Sequence, residues 1–266
     1  MKALVFNGPR DIQYETFPDP SLATDNSVIL KVERCSICGS DLHMYHGENL
    51  GKASYSGGVT PFCVGHEFTG EIVEVGSQVH RFRVGQQVLA SGGAPCGKCK
   101  NCLSGYAQRC SGWTAFGLSG AMNGGQAEFV NVPMADLTLQ PIPEGVTVEQ
   151  SILLTDALCT AYFGLTRTNL EPGDVVAVVG LGPIGLIGVE LAFTLGASEV
   201  FAIDPVSHRR DHAQALGATA LDPSEALPVI MEKTRGAGVP RVFEASGSKD
   251  AVALAIKIAG RGSTAS

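Results

Sequence analysis

Short runs in which apolar and polar residues alternate dominate the first part of the chain. They cover residues 2–6, 27–33, 70–75, 87–90 and 127–132, and glycine and proline separate them. A period of two is typical of strands that bury one face. The pattern therefore predicts that residues 1–155 form a β-rich, barrel-like domain rather than a series of alternating strands and helices.

A different pattern begins near residue 170. Residues 175–179 are all apolar, as in a buried strand, and residues 184–195 carry the periodicity of a helix. The same reasoning predicts strands at 200–203 and 241–244 and helices at 208–216, 223–234 and 251–258, with a boundary helix at 156–167. Strands that alternate with helices build a parallel, doubly wound sheet. We therefore predict an α/β protein whose second domain covers residues 156–266.

A glycine-rich turn joins the first predicted strand of this second domain to its helix. It has the pattern G-x-G-x-x-G and consists of Gly180, Leu181, Gly182, Pro183, Ile184 and Gly185. In such a turn the first glycine permits a tight bend, the second lets a pyrophosphate approach the backbone, and the third lets helix and strand pack closely. The helix N-terminus then presents its dipole and free N–H groups to the phosphates. The turn predicts a dinucleotide site.

Asp204 ends the next predicted strand, where an acidic residue is expected in a dinucleotide-binding unit. Its carboxylate would accept hydrogen bonds from the adenosine ribose hydroxyls and repel a 2′-phosphate. This position favours NAD over NADP. Arg209 lies nearby and leaves a second interpretation open, because an arginine can accommodate the additional phosphate or simply be a solvated helix residue.

Four of the eight cysteines lie close together in the sequence. They follow the spacing C-x2-C-x2-C-x7-C and are Cys96, Cys99, Cys102 and Cys110. Four thiolates at this spacing can close a tetrahedron around zinc and leave no open position, which predicts a structural site in a lobe at residues 91–112. An iron–sulfur cluster is the alternative, since thiolates bind both. The crowding favours a metal over disulfides.

A second set of metal-binding side chains is spread over the first domain. His66 and Glu67 stand side by side just before residues 70–76, a strand pattern bounded by two glycines. Cys38 offers a thiol upstream, and Asp156 offers a carboxylate downstream. Three ligands of mixed sulfur, nitrogen and oxygen type are typical of a catalytic zinc whose fourth position is left for water or substrate.

Two short motifs resemble those of a known family. The string G-H-E-x-x-G-x5-G begins at Gly65, and C-G-x-D-x-H begins at Cys38. Together they resemble the zinc-containing alcohol dehydrogenases, the medium-chain dehydrogenases, and the resemblance extends from Met1 to the last residue. It implies a GroES-like catalytic domain at residues 1–155 and an NAD-binding Rossmann domain at residues 156–266. It also favours zinc over iron–sulfur in the four-cysteine lobe.

The resemblance implies roles for further residues of the first domain. Ser40 and His43 would relay a proton from the alcohol to solvent, and the carboxylate of Asp41 would orient the imidazole of His66. Glu67 would stand beside the zinc and could enter its coordination shell.

One zinc ligand is left open by the resemblance. The family carries either an aspartate or a cysteine on the boundary helix, and Cys159 is three residues from Asp156. We favour Asp156 because Thr155-Asp156-x-x-x-Thr160 matches the members that carry an aspartate.

The reaction implied by the resemblance is hydride transfer from an alcohol or polyol to NAD, with one catalytic and one structural zinc. A zinc-free quinone reductase of the same fold is disfavoured by Cys38, His66 and the four-cysteine lobe. Family substrates range over simple alcohols, polyols, threonine and formaldehyde. We expect the loops at 47–60 and 111–123 to line the substrate pocket. No residue in the sequence indicates which of these substrates the protein uses.

Composition narrows the range of partners. The chain has 266 residues, of which 44% are hydrophobic and 17% charged, so it can bury two cores. A net charge of −7 argues against nucleic acid and anionic membranes as partners. The N-terminus lacks the pattern of a signal peptide, and glycines interrupt the apolar stretch at 175–195. We expect a cytoplasmic protein that acts on a small molecule.

The end of the chain departs from the family pattern. The family sheet has six strands, and after the predicted helix at 251–258 only residues 260–266 follow, so we expect a fifth strand that has barely begun and no sixth. The lost part would carry contacts to the nicotinamide and the subunit contact of a homo-oligomeric full-length relative. The alternative function is therefore a truncated zinc-binding relative with impaired or no dehydrogenase activity.

Overall fold

The computed structural model describes residues 1–48 and 60–266. The chain forms two compact units, Met1–Asp156 and Ala157–Ser266. The first is rich in β-strands and the second alternates strands with helices, which confirms the two predicted fold types. Most of the predicted substrate loop at 47–60 lies outside the described residues.

The first unit consists of short strands and shorter helices. Its strands are β1 (Lys2–Gly8), β2 (Asp11–Thr16), β3 (Val28–Cys35), β4 (Phe62–Cys63), β5 (Phe68–Val75), β6 (Gln87–Ala90), β7 (Gly93–Ala94), β8 (Thr114–Ala115), β9 (Phe129–Val132) and β10 (Leu139–Pro141). Its helices are α1 (Gly39–His46), α2 (Lys100–Leu103), α3 (Ala135–Thr138) and α4 (Val148–Ser151), with 3₁₀ turns at Ala107–Arg109 and Ile152–Leu154. Strand β2 and helix α1 were not predicted.

An antiparallel sheet forms the centre of this unit, with strand order β10-β6-β5-β3-β9. Alternate residues of its strands point into one core, in which Leu30, Phe68, Ile72 and Val130 are almost fully buried. A smaller sheet, β2-β1-β4, has its own cluster around Phe6. The period-two pattern of the sequence thus has its expected physical origin in one-sided burial.

The second unit alternates strands and helices. Its strands are β11 (Val175–Val179), β12 (Glu199–Ile203), β13 (Thr219–Leu221), β14 (Val239–Glu244) and β15 (Ala259–Ala265). Its helices are α5 (Ala157–Arg167), α6 (Pro183–Thr194), α7 (Ser207–Ala215), α8 (Pro223–Lys233) and α9 (Lys249–Ile258). All strand pairs are parallel, in the order β13-β12-β11-β14-β15.

Two strands of this sheet correct the sequence analysis. We expected a fifth strand that had barely begun, but β15 is a strand of seven residues. It pairs with β14 through Val239–Ala259 and Arg241–Thr264. Strand β13, which was not predicted, pairs with β12. Neither strand contains an apolar β-branched residue. Their conformation is therefore determined by pairing with a neighbouring strand and not by local propensity.

Buried apolar residues cover both faces of the parallel sheet. One core contains Val176, Val178 and Phe243, and the other contains Ala177 and Phe201, among others. Burial on both faces explains why β11 is continuously apolar instead of alternating. The same arrangement brings the carboxyl ends of β11, β12 and β14 to one edge of the sheet, where ligands bind in open α/β sheets.

Candidate metal centres and dinucleotide site

Four predicted metal-binding side chains converge in the first unit. One ligand atom from each of Cys38, His66, Glu67 and Asp156 lies within 4.8 Å of the others. Cys38 is the N-cap residue of α1, His66 and Glu67 immediately precede β5, and Asp156 immediately precedes α5. Three separate parts of the chain therefore contribute to one cluster.

His66 lies at the centre of this cluster, and its ring has a different partner on each side. Its Nε2 is 3.5 Å from Asp156 Oδ2 and 3.4 Å from Ser40 Oγ. Its Nδ1 is 3.5 Å from Asp41 Oδ1, while Asp41 Oδ2 accepts the Cys38 N–H at 2.8 Å. Asp41 thus contacts both the ring and the chain segment that carries the candidate thiolate ligand.

The surroundings of His66 favour a positive charge. Burial alone would lower the pKa of this imidazole, but the neighbouring side chains of Asp156, Asp41 and Cys38 outweigh burial and raise the pKa to about 12. The hydrogen bond with His66 in turn lowers the pKa of the Cys38 thiol. Acidic side chains around a buried imidazole suit a cation. The sulfur, nitrogen and oxygen donors of this cluster fit zinc.

Several residues near this cluster were missed or left open by sequence reasoning. Ser36 Oγ donates a hydrogen bond to Glu67 Oε2, and no motif indicated it. His43 is exposed, and its Nδ1 lies 2.5 Å from Glu48 Oε2. Among the described residues, Cys159 is not a member of the four-residue group that contains Asp156.

The four cysteines of the lobe also converge. The sulfurs of Cys96, Cys99, Cys102 and Cys110 lie within 4.8 Å of one another. Cys99 Sγ is 3.5 Å from Cys102 Sγ and 3.8 Å from Cys110 Sγ. The main-chain N–H groups of Cys96 and Gly112 donate to Cys110 Sγ at 3.2 and 3.3 Å.

The thiols of the lobe differ in the direction of their pKa shifts. Hydrogen bonds from the Cys102 main chain and side chain lower the pKa of Cys99 to about 6, and a hydrogen bond from the Lys98 main chain is the main reason for a lowered pKa at Cys96. Burial and the neighbouring sulfurs raise the pKa of Cys102 to about 12. Four sulfurs this close can all be thiolates only around a cation, and an all-sulfur set fits zinc.

The glycine-rich turn lies at the carboxyl end of β11. Gly180 has a φ of +89°, which favours glycine, and a Cβ there would lie 2.7 Å from the Cβ of Ser246. A Cβ on Gly185 would lie 1.8 Å from the Gly180 carbonyl oxygen, whereas a Cβ on Gly182 would meet no atom within 4 Å. Gly182 therefore faces open space, as a residue beside a pyrophosphate must.

The helix that follows is suited to an anion. α6 begins after Gly182 with Pro183 as its first residue, and its first turn contains no acidic side chain. The main-chain N–H groups of Ile184 and Gly185 belong to this first turn, so the positive end of the helix dipole is not neutralised from within the helix.

Asp204 is buried beside this turn. Its Oδ2 accepts the Leu181 N–H at 2.7 Å, and its Oδ1 accepts the Val206 N–H at 2.8 Å. Arg209 Nη1 lies 3.5 Å from Asp204 Oδ2, so this arginine is an ion-pair partner of the acid and not only a solvated helix residue.

A cavity of about 700 Å³ opens at this edge of the sheet. Its lining includes the predicted residues Gly180, Asp204 and Arg209, together with Ser224 and Lys257, which sequence reasoning missed. This volume is that of a typical small-molecule site. The turn, the helix terminus and the cavity fit a dinucleotide.

Comparisons with known proteins agree with this description. The family models of the alcohol dehydrogenase GroES-like domain and of zinc-binding dehydrogenases match residues 24–144 and 183–266. A protein described as a probable zinc-binding alcohol dehydrogenase of Mycobacterium tuberculosis is 40% identical over 100% of this chain and 67% of its own length. Sorbitol dehydrogenase of Bacillus subtilis is 32% identical over 98% of this chain and 73% of its own.

A solved structure extends the similarity to three dimensions. An alcohol dehydrogenase from Thermus sp. ATN1 matches with a TM-score of 0.91 and 32% identity, over 99% of this chain and 75% of that one. This confirms the predicted combination of a GroES-like domain with a Rossmann-like parallel sheet. The chain spans about two thirds to three quarters of the length of these three relatives.

The fold and the similarity to known proteins together place this chain in the class of zinc-binding dehydrogenases. The chain belongs to the zinc-containing alcohol dehydrogenase family, the medium-chain dehydrogenases, and thus to the oxidoreductases. In the part of the chain that the structure describes, no helix is long and apolar enough to cross a membrane.

Proposed function

We propose that this protein oxidises an alcohol or polyol by hydride transfer to NAD, with one catalytic and one structural zinc. The observation that supports it most directly is the convergence of Cys38, His66, Glu67 and Asp156 from separate parts of the sequence. Family membership supports the same reaction class, since relatives include a sorbitol dehydrogenase and an L-threonine 3-dehydrogenase.

Cys38, His66 and Asp156 would hold the catalytic zinc, with Glu67 next to it. Bound there, zinc would supply a Lewis acid that makes an alcohol hydroxyl more acidic. Asp41 faces Nδ1 of His66 at 3.5 Å and would keep Nε2 directed towards the metal. Orientation by a second carboxylate is a common feature of histidine ligands in zinc sites.

Ser40 and His43 would move the proton that the substrate hydroxyl loses. Ser40 Oγ is close to the cluster, 3.4 Å from His66 Nε2, and can accept and pass on a proton. His43 is exposed and would deliver the proton to solvent, with its ring orientation set by the contact with Glu48.

Cys96, Cys99, Cys102 and Cys110 would hold the structural zinc. Their donor set leaves no position for a substrate, so this site would support the fold of the lobe rather than take part in the reaction.

The second unit would bind the dinucleotide in its cavity. The first turn of α6 would hold the pyrophosphate and Asp204 the adenosine ribose, and NAD bound there would supply the hydride acceptor of the reaction. Asp204 Oδ1 and Oδ2 each accept one main-chain N–H, and each oxygen can accept a second hydrogen bond. The negative charge would disfavour a 2′-phosphate, which supports NAD over NADP, although Arg209 reduces this preference.

The decisive experiment measures NAD reduction by the purified chain with primary alcohols, polyols and threonine, together with its zinc content. We expect two zinc ions per chain and turnover of at least one substrate class. Two zinc ions without turnover on any substrate would contradict the proposed reaction. That result would support the alternative of a zinc-binding relative without dehydrogenase activity.

A further inference from the structure

Glu244 is the last residue of β14 and lies beside the residue that precedes the glycine-rich turn. In the parallel pairing of β11 with β14, Val179 stands opposite Glu244, and the Ala245 N–H donates to the Val179 carbonyl at 2.8 Å. The segment after Glu244 therefore starts at the same edge of the sheet as Gly180. No sequence motif pointed to Glu244.

The carboxylate of Glu244 folds back onto this segment. Its Oε1 accepts the Ser246 N–H at 2.9 Å, the Ser246 hydroxyl at 2.6 Å and the Gly247 N–H at 3.1 Å. Its Oε2 is also 3.1 Å from the Gly247 nitrogen. Hydrogen bonds to a charged acceptor are stronger than neutral ones, so these contacts stabilise the observed conformation of the loop after β14.

The loop continues the network into the next helix. The Ser246 hydroxyl accepts the Ser248 N–H at 3.1 Å, and the Ser248 hydroxyl caps α9 by accepting the Ala251 N–H at 3.1 Å. Glu244 thus anchors, through Ser246, the start of a helix that contributes Leu254 and Lys257 to the cavity.

This loop forms one wall of the dinucleotide turn. Ser246 and Ser248 line the cavity, while Glu244 is not among its lining residues. Ser246 is packed so closely on Gly180 that a Cβ there would lie 2.7 Å from the Ser246 Cβ and 2.8 Å from its nitrogen. A shift of Ser246 would therefore remove the surface against which Gly180 makes its bend.

We propose that Glu244 is a positioning residue of the dinucleotide site: its carboxylate holds Ser246 against Gly180 and so preorganises the turn that receives the pyrophosphate. This role rests on the proposed binding of NAD. It acts through the loop and requires no contact between Glu244 and the cofactor. A preorganised turn binds more tightly because the cost of ordering it is already met in the free protein.

The test is isothermal titration of the zinc-loaded 266-residue chain with NADH. Glu244→Ala is expected to raise the Kd for NADH about tenfold, equivalent to about 1.4 kcal/mol. Glu244→Gln keeps a carbonyl oxygen whose two lone pairs can accept the Ser246 N–H and the Ser246 hydroxyl, and it is expected to stay within about threefold of the wild type. Rescue by Gln distinguishes an acceptor for the loop from a general effect of charge.

Glu199→Ala is the matched control. Glu199 begins β12 at the opposite end of the same sheet and pairs with Lys233, away from the cavity lining. It is expected to leave the Kd unchanged, even if it lowers the thermal stability as much as Glu244→Ala does. Loss of stability without loss of affinity in Glu244→Ala would indicate a merely structural role and overturn the proposal.

The remaining outcomes are also decisive. If Glu244→Ala does not fold, Ser246→Ala takes its place, because it removes the hydroxyl that joins Glu244 to Ser248; a Kd within twofold of the wild type then overturns the proposal. If the wild type binds NADH and Glu244→Ala binds it equally well, only the role of Glu244 is refuted. If the wild type does not bind NADH, the proposed cofactor fails and this inference fails with it.

Discussion

The main-chain N–H of Leu181 donates a 2.7 Å hydrogen bond to Oδ2 of the buried Asp204. This bond joins the end of β12 to the second residue of the glycine-rich turn after β11. One carboxylate therefore has two tasks: it fixes the shape of the turn, and its remaining acceptor capacity faces the cavity.

Replacing Asp204 with glycine should consequently affect affinity and selectivity together. We expect the Kd for NADH to rise at least tenfold, about 1.4 kcal/mol or more, because the turn and the ribose both lose an acceptor. The Kd for NADPH should fall relative to that for NADH, since the repelling charge is gone and Arg209 is released from its ion pair. Titration with both nucleotides measures the ratio. An unchanged ratio would refute Asp204 as the selectivity determinant; Asp211→Asn, on the exposed face of α7, is the control.

The sequence was sufficient to predict this turn and its acid because both are local. The order G-x-G-x-x-G between strand and helix marks a positive φ at Gly180 and a close backbone approach at Gly185, both of which favour glycine, and Asp204 follows directly from the end of the next strand. Glu244 could not be predicted in the same way. Its importance depends on the pairing of β14 with β11, which brings distant residues together and leaves no local pattern.

The choice between Asp156 and Cys159 shows the same limit. Both lie on one short segment, and only the three-dimensional path of the chain shows that the carboxylate of Asp156 comes within 3.5 Å of His66 Nε2. The length of strand β15 could not be predicted either. Its glycine-rich sequence has weak strand propensity, and its conformation comes from pairing with β14. Patterns of burial and metal-ligand spacing are thus readable in a sequence, whereas long-range pairing is not.

Asp41→Asn should weaken the catalytic zinc site without removing a ligand. The substitution takes away the charge that faces His66 Nδ1 and weakens the acceptor of the Cys38 N–H. Loss of such an orienting carboxylate typically lowers metal affinity by about 10- to 100-fold. Competition with a chelator, followed by zinc analysis, should show earlier loss of one zinc per chain. Glu48→Gln, an exposed change nearby, should leave zinc retention unchanged; equal retention in Asp41→Asn would contradict the orienting role.

The only tryptophan of the chain, Trp113, directly follows the four-cysteine lobe, so its fluorescence reports on the state of the lobe. The main-chain N–H of Trp113 donates to the Cys110 carbonyl at 3.2 Å, and the indole ring occupies the space beside Gly93. We expect Cys110→Ser to lose one zinc per chain and to shift Trp113 emission to longer wavelength, because the lobe loosens and the ring becomes more hydrated. Cys35→Ser, an exposed cysteine outside both clusters, is the control. A Cys110→Ser protein with full zinc content would refute the structural site.

The ion pair between Asp174 and Arg241 should make the stability of the second unit depend on pH. Arg241 Nε lies 2.7 Å from Asp174 Oδ2, and both side chains are largely buried, at 17% and 22% exposure. The hydrogen bond from Arg241 and that from the Glu171 N–H lower the pKa of Asp174 below its usual 3.8. A carboxyl group with a lowered folded pKa stabilises the fold above its unfolded pKa, and this stabilisation is lost as the pH falls through the folded value.

Asp174→Asn should therefore lower the free energy of unfolding at neutral pH by about 1–2 kcal/mol. The difference from the wild type should shrink as the pH falls below 3.8, where the wild-type carboxyl also becomes protonated. Urea denaturation of both proteins between about pH 7 and pH 3 measures this difference. Glu199→Gln removes the more exposed pair with Lys233 and should cost less, about 0.5 kcal/mol. A difference that stays constant across the whole pH range would show that the charge of Asp174 does not contribute, because only an ionised carboxylate gains from Arg241.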